Sequence, residues 1–331
     1  MDPVSQAALG AAAALIVSKP KQMRWAAPLG ALSGMAPDLD VFIRSSTDPL
    51  LFLEYHRQFT HSLFFIPVGA LLCSLIARPF IRSKIPDRTL YGFCLLGFGS
   101  HGLLDACTSY GTQLFWPFTD LRIAWNNVSV VDPLFTLPLL IGVVTAVARS
   151  SPRWVRAAAI WAIAYLLLGV AQRERAEAAG FELAASRGHA PSEVAAKPSF
   201  GNLLLWKTVY EHDFHYYVDA TRVGVEVKKF PGQRSRKVDM SRDLDWLDLD
   251  SQQARDLERF RWFSNGKLGL DPDDQDRIID IRYSMVPNQV DALWGIELDE
   301  TAPFDAHVRF FTSRSLSKEQ RAELQRMLFG P

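Results

Sequence analysis

The stretch HRQFTHSLFFIPVGALLCSLIA, residues 56–77, joins two histidines and an arginine to an uninterrupted apolar run. Imidazole and charged groups beside hydrocarbon are costly unless they are paired or ligated. A helix on the surface of a soluble domain would carry a polar stripe every three or four residues, and this run carries none. The stretch therefore favours a membrane helix with a polar site at its start.

Further apolar runs flank this one in the first half of the chain. They cover residues 4–17, 25–37, 90–104, 134–148 and 157–171. A full span takes roughly 20 residues, so each run alone is marginal, but several in succession separated by Arg-rich connectors favour membrane integration. The sequence predicts an α-helical polytopic membrane domain over residues 1–172 with about six spans, some of them short. The first run lacks a basic n-region, which favours a retained helix over a signal peptide.

The basic residues of the connectors predict an orientation. They form three clusters: Lys19, Lys21 and Arg24; Arg78, Arg82, Lys84 and Arg88; and Arg149, Arg153 and Arg156. The positive-inside rule places these clusters in the cytoplasm and the loops at 38–61 and 106–131 on the other side. With six spans, the part after residue 172 is predicted to be periplasmic, although Arg173 and Arg175 argue mildly against this.

Ionisable residues gather at the predicted outer face. The motifs PDLD, HRQFTHS and HGLLD supply six candidate metal ligands: Asp38, Asp40, His56, His61, His101 and Asp105. His101 and Asp105 are four residues apart, so they share one helical face. Arg57 and Asp132 are candidate catalytic residues, with Arg57 suited to neutralise an anionic substrate. Thr60 is a candidate for holding a ligand by a hydrogen bond.

Each candidate also has a structural interpretation. Asp132 before Pro133 is typical of a helix N-cap, and Asp38 with Asp40 could form a polar turn. The single histidines could be interfacial hydrogen-bonding groups, and Arg57 could pair with Glu54 or with lipid headgroups. Taken together, three histidines and three carboxylates at one level indicate a metal site. Mixed imidazole and carboxylate donors favour Zn²⁺ or Mn²⁺, and six ligands leave one or two ions open.

These motifs resemble a family of bacterial inner-membrane proteins described as metal-dependent hydrolases. The resemblance rests on MDPVSQAALGAA, PDLD, HRQFTHSL, HGLLDACTSYGTQLFWPF and SVVDPLF, and covers roughly residues 1–145. It implies a bacterial inner-membrane location, multi-pass topology and a divalent-metal site at Asp38, Asp40, His56, His61, His101 and Asp105. Many members look like MDxxTHxxxG at the start, whereas this chain has Gln6 in place of that histidine.

The second half of the chain has a different pattern. Residues 173–200 are predicted to be a continuing helix and a linker, and residues 201–331 a small soluble α+β domain with antiparallel strands. Helices are expected at 251–262 and 316–328. His212 and His215 in HDFH could form a metal pair, but in one strand they would lie on opposite faces.

The predicted function is a membrane-embedded, metal-dependent hydrolase that acts on a phosphoester or another lipid-associated substrate at one membrane face. The alternative is a non-enzymatic membrane protein, such as an ion-coupled or proton-coupled transporter or an assembly factor, that uses the same residues. With 36 basic and 36 acidic side chains the chain has no net charge, and no nucleic-acid partner is predicted. A protein partner through the C-terminal domain is a further expectation.

Overall fold

The computed structural model describes residues 1–330 and divides the chain into two compact units. The first contains residues 1–43, 55–170 and 200–202, and the second contains residues 44–54, 171–199 and 203–331. The loop 44–54 therefore belongs to the second unit although both of its flanks belong to the first. Along the chain, residues 44–54 of the second unit therefore lie between the PDLD motif and the HRQFTH motif of the first unit.

Helices build the first unit. They are α1 (Pro3–Val17), α2 (Met23–Met35), α3 (Leu51–Tyr55), α4 (Ile66–Ile81), α5 (Asp87–Cys107), α6 (Pro133–Ala148) and α7 (Arg153–Ser186), of which α3 and α7 extend into the second unit. Short 3₁₀ segments cover Pro20–Gln22, Ala36–Phe42 and Phe59–His61. The side chain of Asp2 caps α1 by accepting from the backbone N–H groups of Val4 and Ser5, and proline follows it at the first helical position.

Glycines bring three of these helices into close contact. A Cβ added to Gly10 of α1 would lie 2.3 Å from the carbonyl oxygen of Gly30 in α2, and one added to Gly97 of α5 would lie 2.4 Å from the same oxygen. Only a residue without a side chain permits such an approach, which is the packing mode of small residues between membrane helices. The helices α1, α2 and α5 therefore form the centre of the first unit.

The prediction of about six membrane spans is wrong. Within residues 1–330, Arg153–Ser186 is the one helix both long and apolar enough to cross a membrane, and a second candidate exists if Leu51–His61 and Ile66–Ile81, bent by 84°, count as one broken span. The helices α1 and α6 are shorter, with 15 and 16 residues, so at 1.5 Å per residue each falls short of a hydrocarbon core of about 30 Å. The periplasmic assignment of the C-terminal part loses its basis with the span count.

Two antiparallel sheets build the second unit. The first contains β1 (Val194–Pro198), β2 (Leu205–His212), β3 (His215–Val223) and β4 (Val227–Phe230), with β5 (Arg234–Arg236) also paired to β3. The second contains β6 (Leu268–Leu270), β7 (Arg277–Asp280), β8 (Trp294–Glu297) and β9 (Arg309–Thr312). Three helices accompany them: α8 (Met240–Asp243), α9 (Gln252–Phe263) and α10 (Lys318–Phe329). The stretch expected to be a linker contains β1, which pairs with β2.

Buried alternate positions of the strands form the core of this unit. Val209 and Val218 from the first sheet pack in one cluster with Ile279 and Ile281, at and just after β7. His212 and His215 are cross-strand partners on either side of a two-residue turn, in which Asp213 and Phe214 both have positive φ. The expectation that both histidines lie in one strand is therefore wrong, because the hairpin turns between them.

Candidate metal centre

Three elements of the first unit bring possible ligands to one point. Asp38 lies in the 3₁₀ segment that directly continues α2, and His61 ends the 3₁₀ segment before α4. His101 and Asp105 lie one turn apart on α5. Ligand atoms of these four residues all lie within 4.8 Å of one another, so the group is positioned to hold a metal ion. We call these four residues the metal cluster.

The spacings within the metal cluster match those of a tetrahedral ion. His61 Nε2 lies 2.9 Å from His101 Nε2, 3.4 Å from Asp38 Oδ1 and 3.3 Å from Asp105 Oδ2. His101 Nε2 lies 3.4 Å from the Asp38 oxygen and 3.7 Å from the Asp105 oxygen. Bonds of about 2.0 to 2.1 Å to a central ion separate tetrahedral ligand atoms by roughly 3.3 to 3.4 Å. The donors are therefore already at coordination distance from a shared centre.

The outer nitrogens of both imidazoles fix their tautomers. His101 Nδ1 lies 2.5 Å from the carbonyl oxygen of Gly34, and His61 Nδ1 lies 3.1 Å from Asp40 Oδ2. A carbonyl oxygen or a carboxylate can only accept, so each Nδ1 donates to its outer partner and each Nε2 is directed at the other ring. Two Nε2 atoms 2.9 Å apart need a proton or a metal ion between them, because two lone pairs at that distance repel. This geometry is the arrangement that metal-ligating histidines adopt.

Asp40 holds the histidines in place. Its carboxylate accepts hydrogen bonds from Thr60 Oγ1 at 2.7 Å and from the backbone N–H of Arg57 at 3.0 Å, and contacts His56 Nδ1 at 2.7 Å in addition to His61. Burial acts to raise the pKa of Asp40, but the hydrogen bonds from His56 and His61 outweigh it and hold the pKa below its usual range. Asp40 also belongs to a second possible ligand group with Asp38 and His56. Through these four contacts Asp40 orients residues around the metal cluster, among them its ligand His61.

Asp38 is the open side of the metal cluster. A quarter of its side chain is exposed, whereas the side chains of His61, His101 and Asp105 are fully buried. Asp38 and His56, whose side chain is 20% exposed, are therefore the residues of the site that are partly open to the surface.

Arg57 is a buried partner of the cluster. Its Nε lies 2.9 Å from Asp105 Oδ2, its terminal nitrogen donates to Thr108 Oγ1 at 2.9 Å, and its guanidinium lies over the ring of Tyr110. Only 4% of the residue is exposed, so in this structure it does not face solvent. Its backbone has a φ of 67°, a conformation uncommon outside glycine.

A glycine on α5 makes room for the backbone of His61. A Cβ at Gly102 would lie 2.2 Å from the carbonyl oxygen of His61. Neither Gly102 nor Gly34 was predicted to contribute to the site. Gly102 directly follows the ligand His101 in a helix, and a glycine in that position is a signal that another backbone approaches there.

Gln6 reaches the same cluster. Its side-chain amide donates to Asp105 Oδ1 at 2.8 Å, and the amino group of Met1 also contacts that oxygen. The position at which the resemblance expects a histidine therefore does face the metal cluster. Here it supplies an amide hydrogen bond to a ligand.

Asp132 is a helix cap in this structure. Its carboxylate accepts from the backbone N–H groups of Leu134 and Phe135, and from the Tyr165 hydroxyl at 2.9 Å. Among residues 1–330, Asp132 is not part of any group of possible metal ligands, and neither are His212 and His215. A third group, Asp48, Asp256 and His307, lies in the second unit and was not predicted.

The first unit thus carries a His/Asp cluster that is positioned to hold a metal ion. The family model of the YdjM inner membrane proteins matches residues 1–176, and the chain belongs to this family. The family resemblance noted from the motifs is thereby confirmed.

Two curated relatives match part of the chain. An inner membrane protein of Escherichia coli strain K12, YbcI, is 34% identical over 105 residues, which is 30% of this chain and 60% of that protein. An uncharacterized protein of Bacillus subtilis strain 168, YfhP, is 29% identical over 151 residues, which is 44% of this chain and 45% of that protein. The chain thus spans about half the length of these relatives. No solved structure matches the chain.

Proposed function

We propose that the chain is a metal-dependent hydrolase that acts on a phosphoester or another lipid-associated substrate at one face of the bacterial inner membrane. One observation carries this proposal: two imidazole Nε2 atoms, 2.9 Å apart, converge with two carboxylates at tetrahedral spacing. Without an ion, the two nitrogens must share a proton in a buried site beside two carboxylates, which costs free energy.

The donor set fits a divalent ion of the zinc or manganese type. Two imidazoles and two carboxylates suit these ions, and the near-tetrahedral spacing favours zinc. Cys107 lies two residues after Asp105 in the sequence. Within residues 1–330, however, none of the possible ligand groups contains a cysteine sulfur. A bound divalent ion would supply Lewis acidity toward a phosphoryl or carbonyl oxygen and lower the pKa of a water molecule.

The surrounding residues supply orientation and a proton route. Asp40 and Thr60 fix the ring of His61, and the carbonyl of Gly34 fixes the ring of His101. Arg57 and Gln6 hold Asp105 so that its second oxygen points at the cluster. His56 directs Nδ1 at Asp40 while part of the ring is exposed, so we assign it the transfer of a proton between the site and solvent.

The membrane setting supports a lipid-associated substrate. The broken pair Leu51–His61 and Ile66–Ile81 bends by 84° immediately after the ligand His61. Irregular backbone at membrane depth is tolerated where it lines a protein cavity or a water-filled site. A site at such a break is accessible to a headgroup without removal of the lipid from the bilayer.

The test is turnover by the full chain in detergent. We expect hydrolysis of at least one member of a panel of lipid phosphoesters, soluble phosphoesters and carboxylic esters, with loss on chelation and recovery with Zn²⁺ or Mn²⁺. Asp38→Asn should lower kcat/KM by at least about a hundredfold, as the removal of one electrostatic contact to a reacting group does. His307→Ala, from the third group, is the matched control and should retain activity.

A bound ion without turnover of any ester would overturn the hydrolase proposal. That result would favour the non-enzymatic alternative, in which the same residues bind an ion for transport or assembly.

A further inference from the structure

An apolar groove runs between α2 and α4 in the first unit. Its volume is about 440 Å³, within the range of small-molecule sites. One wall comes from α2 and the residue after it, with Trp25, Leu29, Leu32, Ser33 and Ala36, and the other wall comes from α4, with Cys73, Ile76, Ala77, Phe80 and Ile81. The lining contains no charged side chain.

One end of the groove adjoins the metal cluster. Ala36 is two residues before Asp38, and the neighbouring Gly34 carbonyl accepts from His101. The same helix therefore lines the groove and continues into a segment that carries a ligand. The Ala36 end of the groove therefore lies in the same 3₁₀ segment as the ligand Asp38.

The length of the groove matches one leaflet. From Trp25 to Ala36 the helix rises about 16 Å at 1.5 Å per residue. Half of a hydrocarbon core of about 30 Å is about 15 Å, the depth that an acyl chain occupies. The side of the groove is lined by residues that are largely exposed, Leu32 at 68%, Ile76 at 72% and Phe80 at 82%, so a chain can enter laterally.

We propose that the groove binds one acyl chain of the substrate and thereby presents its headgroup ester to the metal cluster. The inference rests on the proposed function, and it defines the substrate class as a lipid ester with at least one long chain. Each methylene in such a groove contributes a factor of about four to binding.

Two readouts on the full chain in detergent test the groove. In the first, a phosphomonoester with a brominated long chain should quench the fluorescence of Trp25, measured as the difference between the native chain and Trp25→Phe. In the second, Ala77→Trp fills the groove, and the ratio of kcat/KM for a long-chain ester to that for a short soluble ester should fall at least about tenfold, equivalent to fewer than two methylenes lost. Leu75→Trp on the same helix, at a position 53% exposed outside the groove lining, should keep the ratio.

Each contrary outcome is distinct. Metal-dependent turnover with no quenching and an unchanged ratio in Ala77→Trp would overturn the groove and leave the hydrolase proposal standing. A brominated zwitterionic lipid that the chain does not hydrolyse is the control. If it quenches Trp25 equally, bulk lipid alone fills the groove, and the groove proposal is also overturned. Quenching by the phosphomonoester without any turnover would overturn the hydrolase proposal instead.

Discussion

Two groups of His and Asp residues with similar spacing differ in what neutralises them. The metal cluster contains two carboxylates and two imidazoles, and the group of Asp48, Asp256 and His307 in the second unit also satisfies the distance criterion for a metal. In the second group the guanidinium of Arg259 donates to both oxygens of Asp48 and to Asp256, and contacts Glu54. We call this the Arg259 group. In the metal cluster, Arg57 reaches Asp105 but leaves Asp38 and both Nε2 atoms facing one another.

The difference teaches that residue types and distances alone do not define a metal site. In the Arg259 group a protein cation occupies the position that an ion would take, and His307 Nδ1 contacts Asp256 at 2.8 Å in an ordinary pair. A forked guanidinium between carboxylates satisfies their charge and geometry. In the metal cluster the histidine tautomers are set from outside so that both lone pairs point inward. We therefore expect an ion in the first group and none in the second.

The largest expected effect comes from Gly102→Ala. The new methyl group would lie 2.2 Å from the carbonyl oxygen of His61, so α5 and the His61 segment must separate. We expect loss of metal binding and a decrease of about 1 to 3 kcal/mol in the free energy of unfolding, the cost of overpacking. Metal content and thermal unfolding measure this. Gly92→Ala on the same helix has nothing within 4 Å and should retain the metal and be slightly stabilised.

A Gly102→Ala variant with full metal content and native stability would show that the close approach of α5 to His61 does not define the site. The account of the cluster would then lose its structural basis.

A smaller effect is expected from Arg259→Met. It leaves the carboxylates of the Arg259 group without their cation, and charge-assisted hydrogen bonds contribute about 1.5 to 3 kcal/mol. Because Arg259 is partly exposed and solvent screens its charge, we expect a loss of about 1 kcal/mol in the unfolding free energy of the second unit and no change in metal content. Arg261→Met, which removes an exposed pair with Glu258 on the same helix, should cost less than about 0.5 kcal/mol. Loss of the metal in Arg259→Met but not in Arg261→Met would indicate that the ion binds at the Arg259 group. That result would contradict the assignment of the ion to the metal cluster.

The smallest expected effect is a pH dependence. Burial acts to raise the pKa of Asp48, but its hydrogen bonds from Arg259 and Leu50 lower it. A carboxyl group whose pKa is lower in the folded than in the unfolded state stabilises above the unfolded value of about 3.9 and loses that contribution as the pH falls through the folded value. The stability difference between the native chain and Arg259→Met should therefore shrink below about pH 4. A difference that is constant from neutral to acidic pH would contradict the ion pair.

The local motifs indicated the ligands because short spacings translate directly into geometry. The interval of four residues between His101 and Asp105 places both on one face of α5, and the chain does place them there. The role of Asp40 could not be predicted from spacing in the same way, since a carboxylate in PDLD can either bind a metal ion or orient a histidine that binds one. Its contacts with Thr60, His56 and His61 support the orienting role, and Asp40 also belongs to a possible ligand group with Asp38 and His56.

Features that depend on distant parts of the chain were out of reach. Arg259 meets Asp48 across 211 residues, and no local pattern marks loop 44–54 as part of the C-terminal unit. The count of spans failed for a related reason. Runs rich in alanine and glycine have the hydropathy of membrane helices, yet the helices that they form, such as α1 with 15 residues and α6 with 16, are too short for a full span.

The most direct test of the central claim is the metal content and coordination of the purified full chain. Elemental analysis combined with X-ray absorption should find a divalent ion bound by two imidazole nitrogens and carboxylate oxygens at about 2.0 to 2.2 Å. His101→Ala should lose this ion, and His307→Ala should retain it. A native chain that binds no ion after exposure to Zn²⁺ and Mn²⁺, or equal metal content in the native chain and His101→Ala, would contradict the assignment of Asp38, His61, His101 and Asp105 as a metal site.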